Sequence, residues 1–119
     1  MTESNQPAAV HALVIRPDGT MNDIVLAANR VLDDLYAAID CRSVDLVRLS
    51  QTRDMWLDDE GMYAGEVNHA ATRLARAHGF VWQPYFGTVV ITGGADADGN
   101  SVALRPNDAQ QIRELLTAK

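Results

Sequence analysis

Apolar residues recur along this chain in short runs divided by turn-forming clusters, and their spacing alternates between strand-like and helix-like periods. Leu13, Val14 and Ile15 mark a strand over His11 to Arg16. Pro17-Asp18-Gly19-Thr20 then supplies a turn, since proline presets φ and glycine accepts positive φ. Ile24, Val25 and Leu26 return as the second arm of a hairpin. From Asn29, a fitting N-cap, Val31, Leu32, Leu35, Tyr36 and Ile39 recur at helical spacing, with Arg30, Asp33 and Asp34 on the other side. Two strands follow, Ser43 to Leu49 and Asp54 to Leu57, suited to pair with each other, and the second turns at Asp58-Asp59-Glu60-Gly61. Asn68 is placed to cap a helix running to Ala77 or His78, which Gly79 ends in the left-handed conformation. Gly87 to Thr92 is β-branched and reads as a central strand. Gly93-Gly94 and Asp98-Gly99-Asn100 allow a reversal into Ser101 to Leu104. Pro106 and Asn107 open a last helix whose Ile112, Leu115 and Leu116 share a face.

Strands paired through short turns and interrupted by helices predict an α+β fold: a mainly antiparallel sheet of about five or six strands with three helices packed mostly on one face. Ahead of it, Met1 to Ala9 is polar, has little to bury, and is expected to be a disordered tail. Residues 10–119 then form a single domain, for which a chain of 119 residues is the right size. No apolar run approaches the roughly 20 residues of a membrane-spanning helix. The N-terminus lacks a signal-peptide pattern, so a cytoplasmic location without membrane association is expected. Cys41 stands alone, which excludes an internal disulfide and fits a reducing compartment. The balance of 16 acidic against 10 basic residues gives net charge −6, which repels a nucleic-acid backbone.

The most distinctive residues lie between Met55 and Asn100. There MWLDDEG runs into GMYAGEVNHAAT, an Ala-rich helix, an aromatic linker containing Pro84, and the hairpin GTVVITGGADADGN. Upstream stand the strand-and-turn LVIRPDGT and the strand VDLVRLS. Together these resemble domain of unknown function 3846, a family of small proteins encoded in bacterial, phage and plasmid genomes. The likeness runs from about His11 to Leu104, and it brings no activity with it. Family members commonly carry an Asn-Pro element before an Ala-Thr pair, where this chain reads Asn68-His69-Ala70-Ala71-Thr72.

The residues that could carry chemistry do not assemble into a known pattern. Asp96-Ala97-Asp98-Gly99-Asn100 begins like a calcium loop, but Ser101 and Asn107 stand where glycine and a bidentate glutamate are required, which favours a hairpin turn. His69 and His78 lack metal-ligand spacing, and no nucleophile elbow or phosphate-cradling loop is present. Cys41, between a helix and a strand, reads as packing, and His78 as a partner for the negative end of its helix dipole. No catalytic residue, metal ligand or cofactor is assigned.

What remains is surface. His69, Arg73 and Arg76, spaced four and three apart, form a basic stripe that is either a solvated face or a docking row. The linker from Phe80 to Phe86 holds four of the chain's seven aromatic residues, as a lid on the core or as a protein-binding patch. The leading expectation is a non-catalytic accessory protein that binds a protein partner through Tyr63, Asn68, His69, Arg73, Arg76, Trp82 and Tyr85, with homo-oligomers left open. Two other readings compete. An acidic DNA-mimic or anti-defence protein of a mobile element needs carboxylates at phosphate-like intervals, and a small hydrolase or nucleotide-processing enzyme needs His69, Glu66 and Asp58 in one cleft.

Overall fold

A computed structural model describes residues 9–60 and 65–117. Five strands form one sheet: β1 (Ala9–Ile15), β2 (Met21–Ala27), β3 (Val44–Ser50), β4 (Arg53–Asp58) and β5 (Val89–Thr92). Their order is β2-β1-β5-β4-β3, and every neighbouring pair is antiparallel. Among the described residues three helices accompany it, α1 (Val31–Ile39), α2 (His69–Ala77) and α3 (Pro106–Thr117). The fold is α+β, as the periodicity predicts. The expected tail lies outside the described residues except for Ala9, which already pairs with Ala27 at the start of the first ladder.

Alternation along the strands sorts the core into two layers. Leu13, Ile15, Met55, Val89 and Ile91 point to one side, where Leu74 of α2 and Ile112 of α3 cover them. Val10, Ala12, Val14, Leu26 and Val90 point to the other, under Leu35 and Ile39 of α1. The helices therefore divide two to one across the sheet. β5 lies in the middle with both faces covered, which is why its Val-Val-Ile-Thr run is buried at all four positions.

Local chemistry departs from the sequence reading in three places. The N-cap of α1 is Arg30, without a side-chain hydrogen bond, rather than Asn29. The carboxylate of Asp34 instead reaches back to accept the Ala27 N–H at 2.8 Å. Leu32 and Leu115, expected on buried faces, are 50 % and 37 % exposed. Ser101 to Leu104 adds no strand of its own: Ser101 bridges Ala95, and the Leu104 N–H donates to the His11 carbonyl at 2.8 Å. This segment passes Gly93 so closely that a Cβ there would lie 2.0 Å from the Ala103 carbonyl oxygen. A side chain at position 93 would push the segment out of place. The Asp96 turn closes on itself, its carboxylate accepting the N–H groups of Asp98 and Asn100. No described helix is long and apolar enough to cross a membrane.

Candidate functional site

Asn68 sets the position of α2. Its Oδ1 accepts the Ala71 N–H at 2.9 Å, and its Nδ2 donates to the carbonyls of Ile15 at 3.0 Å and Gly87 at 2.8 Å. Asparagine alone among the small residues brings one strong acceptor and two donors to such a site. It is fully buried, so it holds the surface in place from beneath and is not part of it. Beyond the cap, Ala71, Leu74 and Ala75 face the core while His69, Arg73 and Arg76 face outward, giving the basic row that the spacing predicts. Arg73 reaches across to α3, its Nη2 donating to the Leu115 carbonyl at 3.1 Å. The side chains of His69 and Arg76 have no hydrogen-bond or ion-pair partner among the described residues. Gly79, at φ +95°, follows the last turn as expected, and the His78 ring nitrogen Nδ1 meets the Leu74 carbonyl at 2.8 Å.

The aromatic linker runs back from the end of α2 to its beginning. Phe80 packs on the core at one end. At the other, the Tyr85 carbonyl accepts the Asn68 N–H, Phe86 bridges Val67, and the Tyr85 N–H donates to Thr72 Oγ1 at 2.9 Å. Helical spacing puts Thr72 beside the His69 and Arg76 row, so the linker borders that row. Tyr85 is 4 % exposed and packs in the core, so little of its side chain lies at the surface. Between the two anchors Val81 and Trp82 turn outward, 55 % and 70 % exposed. The Trp82 ring meets Phe80 edge-on, with centroids 5.7 Å apart and planes at 61°. The aromatic cluster thus splits into a lid and a protruding pair. Tyr63 lies outside the described residues.

The family model for a domain of unknown function (DUF3846) matches residues 10–117. The chain belongs to the DUF3846 family. No curated protein and no solved structure matches it. Within the DUF3846 fold seen here, Asn68 is the N-cap and His69 the first helical residue. An Asn-Pro pair would place proline at that first position, where its missing N–H costs nothing. This chain keeps the asparagine cap and sets an exposed imidazole beside it.

Two further features of this DUF3846 chain bear on chemistry. A cleft of about 230 Å³ brings Tyr85 together with Asp45, Asp58 and Asp59, and neither Glu66 nor His69 lines it. Burial raises the Tyr85 phenol pKa, and the Asp45 carboxylate adds to the rise. Burial, then Asp58, likewise raises the Cys41 thiol, which keeps it a poor nucleophile. Among the described residues no group of three or more His, Cys, Asp or Glu side chains is arranged to hold a metal ion.

The second feature is a polar junction that no local sequence pattern signals. Arg53, at the start of β4 and 12 % exposed, donates from Nε and Nη2 to Asp108 Oδ1 at 2.9 and 2.8 Å. Its Nη1 lies 3.2 Å from His78 Nε2, and Nη2 also donates to the side-chain amide oxygen Oε1 of Gln111. Because arginine only donates, His78 accepts at Nε2 and presents Nδ1–H to the Leu74 carbonyl. One guanidinium therefore locks β4, the end of α2 and the first turn of α3 into a fixed arrangement.

Proposed function

We propose that this protein is a binding module that grips an acidic segment of a partner protein along α2. Val81 and Trp82 supply the apolar anchor, Arg76 and Arg73 supply the complementary charge, and the exposed His69 ring adds a polar contact in the same row. The observation that carries this reading is the exposure of Trp82 on a linker secured at both ends. Two consecutive large apolar side chains held outward in a fixed geometry are what an interface anchor requires, and tryptophan and arginine are the residues that dominate such anchors. A cationic row on a chain of net charge −6 favours an acidic partner face, while the bulk of the molecule repels polyanions such as DNA.

Single substitutions Trp82→Ala and Arg76→Glu test the proposal. Each is expected to reduce partner recovery in affinity capture about tenfold or more, with melting temperature unchanged, because both side chains are exposed. Rising salt is expected to weaken the wild-type interaction and to affect Arg76→Glu less. Undiminished recovery by Trp82→Ala contradicts the assignment.

A further inference from the structure

A second feature lies on the same side of the sheet as α2 but is lined by different residues. Between α3 and the edge formed by β1 and β2 opens a cleft of about 530 Å³. This is within the range of about 300–1,000 Å³ typical of small-molecule sites. It exists because the positions that meet across it are small: Ala103 and Ala109 line the walls, and the side chain of Leu104 is buried.

The rim of this cleft runs against the charge of the molecule. Arg105, Arg113 and His11 surround it, with Asp23 as the single acid among the described residues that line it. Arg113 already spans to that acid, its Nη2 3.1 Å from Asp23 Oδ1, and so links α3 to β2 across the cleft. Asp108, near the start of α3, is turned away and held by Arg53. The side chains of Arg105 and His11 have no hydrogen-bond or ion-pair partner among the described residues. An apolar trough with an uncompensated guanidinium and an imidazole at its mouth suits a ligand that is apolar along its length and anionic at one end.

We propose that this cleft binds a small organic monoanion, a carboxylate on a short apolar chain or ring. The apolar part lies against Ala109 and Leu104, the carboxylate meets the Arg105 fork, and His11 adds a second donor.

The probe is anilinonaphthalene sulfonate, titrated by fluorescence onto the full chain and displaced by octanoate, with octanol as the neutral comparison. All proteins carry Trp82→Ala, so that the exposed indole does not contribute. Octanoate is expected to displace the dye at least about tenfold better than octanol. Arg105→Ala is expected to weaken octanoate about fivefold to tenfold at unchanged melting temperature, and Ala109→Leu, which fills the trough, to abolish displacement. Equal displacement by octanoate and octanol, octanoate affinity untouched by Arg105→Ala, or dye that octanoate does not displace overturns the proposal. Should the leucine variant fail to fold, the Arg105→Ala comparison decides alone.

Discussion

The amide of Asn68 makes three hydrogen bonds to groups far apart in the chain, the Ile15 carbonyl, the Gly87 carbonyl and the Ala71 N–H. An aspartate in its place would keep the cap acceptor but set a carboxylate against two carbonyl oxygens in a fully buried site. Asn68→Asp is expected to cost about 3–5 kcal/mol in urea unfolding at neutral pH, with Asn68→Ala at about 2–3. A loss below about 1 kcal/mol for the aspartate contradicts this role. Tyr85 gives a pH signature. Its phenol loses its proton near the ordinary value of 10.0 when unfolded and at higher pH when folded. The folded state thus holds the proton longer, so stability is full below the unfolded value and falls as pH rises through it. Unfolding midpoints above about pH 10 are expected to drop more steeply in the wild type than in Tyr85→Phe, and parallel curves would remove the effect. The cap at Asn68 is legible in the sequence because a cap is a local pattern. Its burial is not, because the residues that bury it are remote in sequence.

At the scale of elements, the hairpins, the central β5 and the span of α2 follow from turn chemistry and period, which act between near neighbours. The division of helices across the two faces, and the missing cap of α1, depend on where the chain travels. α1 carries it from one edge strand to the other, and α2 with the linker brings β5 back into the middle. Arg53 is the clearest case of what stays hidden, since it and Asp108 are 55 residues apart and neither belongs to a motif. Removing it leaves a mostly buried carboxylate without its partner and frees the junction of α2 with α3. Arg53→Met is expected to lose about 2–3 kcal/mol, with Asp108→Asn losing less, since its amide oxygen still accepts one bond. Equal stability of Arg53→Met and wild type would show that the two helices are held by packing alone.

For the whole molecule, an acidic chain carries, among its described residues, an outer row of α2 and a cleft mouth beside α3 where cations outnumber acids. Composition shows only the sum, net charge −6, and cannot reveal either one. The basic stripe and the aromatic linker are each legible as candidates. That Asn68 and Tyr85 sit under the surface, and that Val81 and Trp82 stand out from it, depends on how the linker is pinned at Phe80 and at Tyr85. The most direct measurement is affinity capture with the full chain, comparing wild type, Trp82→Ala, Arg76→Glu and, as a surface control outside α2 and the cleft, Arg42→Ala, an exposed position. Wild type and the control are expected to recover the same protein equally, and the other two about tenfold less or lower with melting temperature unchanged. Equal recovery by all four would contradict the view that this protein acts by contact along α2.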